Sequence, residues 1–146
     1  MSDNPIRVRG LDHVVLRVAD LDRALAFYRD TLGCRVERRL DDLGLVQLRA
    51  GASLIDLVPL DSALGRKLGA GPAGEGRNMD HFALELEDFD AAAIAAQLGA
   101  RGVAAGEVGD RYGARGSGPS IYIEDPDGNT VELKGPARPG TRLDGG

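Results

Sequence analysis

The chain holds two histidines, His13 and His81. Each follows an aspartate and opens an alternating apolar stretch. Residues 12–18 read Asp-His-Val-Val-Leu-Arg-Val and residues 80–86 read Asp-His-Phe-Ala-Leu-Glu-Leu. The histidines lie 81 − 13 = 68 positions apart, close to half of the 146 residues. Two carboxylates, Asp56 and Glu132, fall at strand positions whose parity could bring them to the same polar face. Neutral imidazole and carboxylate oxygen are the donor set of Zn²⁺, Ni²⁺, Mn²⁺ and Fe²⁺. Two histidines and one carboxylate with open positions are also the inventory of the non-haem iron facial triad. A lone histidine at a strand start is more often structural or solvated. Equivalent places in a repeat are what make these two candidates for one divalent metal site.

The elements that must position them repeat as well, and repeats dictate architecture. Residues 13–18 alternate, with Val14, Leu16 and Val18 on one side and His13, Val15 and Arg17 on the other, as in a half-buried strand. Asp20 or Asp22 suits an N-cap. Leu21, Leu25, Tyr28 and Leu32 then fall at helical spacing, and Gly33 suits a left-handed C-terminal cap. Strands are predicted near 35–39, 44–49 and 53–59. The second half predicts a strand over 81–87, a helix over 89–101, and strands over 119–124 and 129–134. Between the last two, Asp125-Pro126-Asp127-Gly128-Asn129 is a tight-turn sequence. This gives a first module over 9–64, a Gly-rich linker over 65–78, a second module over 79–136 and a flexible tail over 137–146. Parity sets Asp56 against Ile55 and Leu57, His81 and Glu85 against Phe82 and Leu84, Ser120 and Tyr122 against Ile121 and Ile123, and Glu132 and Lys134 against Val131 and Leu133. Every strand thus has one apolar and one polar face.

Composition removes several function classes. A net charge of −5 lacks the electrostatic footprint of a nucleic-acid binder. No stretch approaches the roughly 20 apolar residues of a membrane span, and residues 1–10 contain no apolar signal core. A cytoplasmic protein is the expectation. Cys34 is the single cysteine, so no internal disulfide can form. It reads as a small packing residue. Residues 69–74 formally satisfy G-x-G-x-x-G, but they follow no clear strand and contain Pro72, so the dinucleotide-binding context is missing.

Taken together, residues 11–18, the Phe27-Tyr28 helix ending at Gly33, Met79-Asp80-His81-Phe82-Ala83, and the run from Glu124 to Leu133 resemble the vicinal oxygen chelate superfamily. That superfamily includes glyoxalase I, extradiol dioxygenases, fosfomycin-resistance enzymes and bleomycin-resistance proteins. The resemblance covers roughly residues 9–136. It implies an α+β fold of two βαβββ modules forming a cupped, mostly antiparallel eight-stranded sheet with helices outside. It also implies metal ligation by His13, His81 and Glu132. The position where glyoxalase I proteins carry Glu or Gln is Asp56 here, a shorter acid suited to ligation or to base chemistry. Asp56 and Glu132 are the candidate catalytic acids, and one divalent ion (Ni, Zn, Mn or Fe) the expected cofactor.

The activity implied is a metal-dependent, glyoxalase-like lyase or isomerase acting on a small substrate with vicinal oxygens. An Fe²⁺ extradiol dioxygenase uses the same triad but needs a further acid–base histidine, which this chain lacks. A binding protein of the bleomycin-resistance kind typically lacks the metal residues. Arg17, Arg115 and Tyr122, with Lys134, are candidate substrate contacts, and residues 112–118 read as a mobile loop beside the site. Open sheet edges need covering, and with the habit of relatives they imply a homodimer.

Overall fold

The computed structural model describes residues 5–67 and 79–143. Along them run β1 (His13–Val18), α1 (Leu21–Leu25), a π-helical turn (Ala26–Thr31), β2 (Arg35–Leu40), β3 (Leu45–Ala50), β4 (Ser53–Pro59) and α2 (Ala63–Lys67). The second half contributes β5 (Phe82–Glu85), α3 (Ala91–Ala100), β6 (Gly109–Gly113), β7 (Gly116–Glu124) and β8 (Thr130–Lys134). The eight strands divide into two four-stranded sheets, ordered β1-β4-β3-β2 and β5-β8-β7-β6. Each sheet pairs its first and last strands in parallel and its other neighbours antiparallel. The βαβββ plan is therefore present twice with one topology, in a mixed, mostly antiparallel α+β fold.

By packing, the chain forms two compact units. One takes residues 1–21 and 33–71, the other residues 22–32 and 72–146. The helical stretch of the first repeat is thus built into the unit that holds the second repeat's sheet. Of the expected linker, residues 65–67 lie in α2, and residues 68–78 lie outside the described residues, as does the G-x-G-x-x-G stretch.

Each sheet buries the face that parity assigns to the core. In the first unit Leu16, Val18, Val46, Leu48, Ile55 and Leu57 are buried; in the second, Ile121, Ile123, Val131 and Leu133. The continuous helix expected over 22–33 is instead one α turn followed by a wider π turn. Leu32 N–H donates to Phe27 O, five residues back, at 3.0 Å, and Thr31 Oγ1 donates to Ala26 O at 3.0 Å. The turn buries both Phe27 and Tyr28, whose rings meet edge-on at 4.8 Å. Gly33 closes the stretch at φ +82°, the left-handed cap its sequence position suggests. Asp90 caps α3, its carboxylate accepting from Ala93 N–H at 3.1 Å.

Residues 112–118 correct one expectation. They are not a loop but the heart of an antiparallel hairpin, β6 and β7, closed at Ala114 and Arg115. Glycine at 109, 113, 116 and 118 lowers strand propensity, so the sequence reads as a connection, and cross-strand pairing decides otherwise. Residues 137–143, expected as a flexible tail, bond along this hairpin. Arg138 grips Asp110 through two hydrogen bonds of 2.6 and 3.0 Å, Arg138 N–H donates to Ser117 O at 2.8 Å, and Leu143 N–H donates to Tyr112 Oη at 2.8 Å.

Candidate metal centre

Each unit brings one histidine and one carboxylate to the polar face of its sheet. In the second unit His81 stands just before β5 and Glu132 lies within β8, and His81 Nε2 sits 3.2 Å from Glu132 Oε1. Two ligands about 2.1 Å from one ion, at tetrahedral or octahedral angles, stand roughly 3.0–3.4 Å apart. The observed separation fits that geometry. Glu132 is buried at 6% exposure, so its carboxylate has been taken from water and needs a compensating partner. Asp80 Oδ2 engages the other ring nitrogen of His81 at 2.7 Å. A carboxylate on Nδ1 favours the tautomer that leaves Nε2 free as donor.

The first unit repeats the aspartate–histidine contact. Asp12 Oδ2 lies 2.7 Å from His13 Nδ1. The Asp12 hydrogen bond raises the His13 pKa above its ordinary value; desolvation opposes it and the charge of Asp56 adds to it. Asp56 is buried at 4% exposure, and the Gln47 amide donates to both its oxygens at 3.1 Å. Arg38 in turn donates to the Gln47 carbonyl oxygen. Val15, Asp56, Gln47 and Arg38 are register partners across β1, β4, β3 and β2, so this relay runs along one row of the sheet.

Register makes the two pairs equivalent. Two residues after His13, Val15 pairs with Asp56; two residues after His81, Ala83 pairs with Glu132. Asp56 is therefore the topological counterpart of Glu132. Among the described residues no group of three or more His, Cys, Asp or Glu side chains gathers closely enough to hold a metal ion. Each unit by itself supplies a pair.

Around Glu132 the turn from Asp125 to Asn129 is tightly fixed. The buried Asp125 carboxylate accepts from Asp127 N–H at 2.9 Å, Asn129 N–H at 2.8 Å, Asn129 Nδ2 at 2.9 Å and Tyr28 Oη at 2.6 Å. Gly128 takes the φ of +82° that the turn demands. The motif thus starts β8 at a defined place, which sets Glu132 opposite Tyr122.

The remaining candidates separate. The Tyr122 ring meets His81 edge-on at 5.1 Å. Arg115 is 77% exposed and pairs with Glu85 at 3.0 Å. Arg17 donates to Gly65 O at 3.2 Å in the first unit. Lys134 is buried on the same face as Glu132. Sequence reasoning missed Gln47 and Arg111. Arg111 lies 4.4 Å over the Tyr122 ring and donates to Ser120. Its only sequence signal is strand parity, which appears once β6 is recognised. Elsewhere in the second unit a groove of about 870 Å³ runs past Arg23, Phe27, Arg101, Val103 and Pro126, and neither His81 nor Glu132 lines it.

Comparison with known proteins gives a consistent picture. The profile of the Glyoxalase/Bleomycin resistance protein/Dioxygenase superfamily matches residues 10–133. A lactoylglutathione lyase of Haemophilus influenzae is 30% identical over 127 residues, covering 83% of this chain and 88% of that protein. An integron cassette protein from the mobile metagenome of V. cholerae superposes with a TM-score of 0.67 at 27% identity, covering 89% of this chain and 97% of that one. A fosfomycin resistance protein of Listeria monocytogenes shares the fold with a TM-score of 0.64 at 22% identity, over 88% of this chain and 91% of that one.

Proposed function

The chain belongs to the Glyoxalase/Bleomycin resistance protein/Dioxygenase superfamily, and from that premise we propose that it is a divalent-metal-dependent lyase or isomerase of the glyoxalase type, acting on a small substrate with vicinal oxygens. The observation that carries the reading is the His81 Nε2 to Glu132 Oε1 approach of 3.2 Å, matched in register by His13 and Asp56. Two imidazoles and two carboxylates, of which both acids are buried, fit Ni²⁺, Zn²⁺, Mn²⁺ or Fe²⁺. We assign His13, Asp56, His81 and Glu132 as metal ligands, and we expect a homodimer, whose pairing would cover exposed sheet edges such as that of β1, where Val15 is 49% exposed. When bound, such an ion acts as a Lewis acid on substrate oxygen.

The chain's own residues then have distinct tasks. A carboxylate, Asp56 or Glu132, moves a proton between neighbouring carbons of the substrate. Gln47, by donating to both oxygens of Asp56, holds that acid in one orientation. Tyr122 limits where the substrate lies by packing against His81. The 30% identical Haemophilus protein is a lactoylglutathione lyase, so a glutathione hemithioacetal is the first substrate to assay. With two histidines in all, the chain lacks the additional acid–base histidine of an extradiol dioxygenase, which places the lyase reading ahead.

The test is elemental analysis of protein purified without chelator, beside His13→Ala and His81→Ala variants. The expected result is near one equivalent of metal per chain, lost in both variants. Metal lost only with His81→Ala confines the ion to the second unit. Absence of metal in the wild type, with no uptake from added Ni²⁺, Zn²⁺, Mn²⁺ or Fe²⁺, sinks the metalloenzyme reading in favour of a binding protein.

A further inference from the structure

Among the described residues, two cations on the polar face of the second sheet form no close ion pair with a carboxylate. Lys134 is 7% exposed, and its Nζ has one hydrogen bond, to Gly135 O at 3.3 Å. Burying an ammonium against a single neutral carbonyl is costly, because the lost hydration is scarcely replaced. Arg111, half-buried, spends one nitrogen on Ser120 O and Oγ, both at 2.8 Å, and stacks over Tyr122. Among the described residues neither cation meets a carboxylate. Glu85, the register partner of Lys134, is engaged by Arg115, and Asp110, whose pKa the Lys134 charge also helps to lower, is engaged by Arg138.

Both cations neighbour one residue. Ser120 is fully buried; its register partner in β8 is Lys134, and its hydroxyl receives Arg111. Space for them comes from missing side chains. A methyl on Gly109 would stand 2.8 Å from the Arg111 guanidinium carbon, and one on Gly113 would stand 3.3 Å from Lys134 Cε. Two register pairs further along the same strands, and so on the same face, lie Tyr122 and Glu132, and Tyr122 contacts His81. Arg111, Tyr122, His81 and Glu132 are thus a continuous series of side chains within one unit.

We propose that Arg111 and Lys134 form a carboxylate-binding subsite beside the His81–Glu132 pair, and hence that the substrate is a small acid whose carboxylate lies close to its vicinal oxygens. The planar guanidinium, with donors left over after Ser120, suits a planar carboxylate, and Lys134 adds a point charge. The substrate's place beside a metal rests on the function proposed above; the anion site itself does not, and its test is run without metal.

The metal-free full-length protein is titrated with malonate at low salt, and backbone amide resonances are followed by NMR. The expected result is saturable shifts at Arg111, Ser120, Tyr122 and Lys134. The affinity should fall at least about tenfold in each of Arg111→Gln and Lys134→Met, as for loss of one charge-assisted hydrogen bond. Malonate should raise the thermal midpoint of the wild type and leave that of Lys134→Met nearly unmoved. If Lys134→Met does not fold, Arg111→Gln alone decides. Absence of saturable binding, or binding unaffected by the substitutions, overturns the subsite. Inorganic phosphate binding more tightly than malonate overturns the carboxylate assignment. Malonate binding in a protein that never takes up metal would leave the subsite standing while the metalloenzyme reading fell.

Discussion

At the scale of single residues the site is a matter of how each donor is held. Asp56 takes its orientation from one amide, that of Gln47. Gln47→Ala should weaken metal binding by about 10–100-fold, the usual loss when the partner of a ligand is removed. Competition with a chromophoric chelator would measure it, and an unchanged affinity would detach Asp56 from the metal. Cys34 shows the opposite condition. It is 7% exposed, and burial pushes its thiol pKa up. Thiolate is the reactive form, so Cys34 should react with a thiol reagent far more slowly in the native protein than in denaturant. Rapid native labelling would contradict the packing role. His13, His81, Asp56 and Glu132 could be singled out from the chain because donor type, parity and repetition coincide at them. Gln47 and Arg111 could not, because an exposed-looking polar residue on a strand becomes a support only when register sets its neighbour across the ladder.

At the scale of elements, strands with clean alternation were legible: β1 and β4 keep the bounds that parity suggests. The failures have physical causes. Hairpin β6–β7 is glycine-rich and gains its order from cross-strand pairing, which no local propensity reports. The π turn follows a pattern that also suits an α-helix, since Leu25, Tyr28 and Leu32 mark the same buried side either way. The segment after β8 depends on a charged contact for part of its attachment. The two Arg138 hydrogen bonds lower the Asp110 pKa below the ordinary carboxylate range. A depressed folded-state pKa stabilises above the unfolded value, and the contribution is lost as pH falls through the lowered one. The difference in thermal midpoint between wild type and Arg138→Ala should be full near neutrality. It should shrink below the ordinary carboxylate range and vanish once Asp110 is protonated. A difference that stays constant into strong acid would assign the side chain's contribution to packing of the Arg138 stem rather than to its ion pair with Asp110.

At the scale of the whole molecule, the repeat was legible because it is written in composition and spacing, and the common sheet order bears it out. No helix among the described residues is long and apolar enough to cross a membrane. What the sequence conceals is where one repeat lends material to the other's unit. Tyr28 comes from the first repeat, is fully buried, and donates at 2.6 Å to Asp125 of the second. Gln97 of α3 likewise donates to Thr31 O at 3.2 Å. Tyr28→Phe should cost about 1.5–3 kcal/mol, the range for a hydrogen bond to a charged group. Denaturant unfolding would read it, and a loss near zero would show that water replaces the hydroxyl. The loan has a further consequence for descent. Two copies of a duplicated module remain separable while each keeps its own parts. Once residues 22–32 became part of the other copy's core, deleting the first copy would strip the second of buried structure, and deleting the second would leave residues 22–32 without the unit they pack in, so neither copy can be removed cleanly.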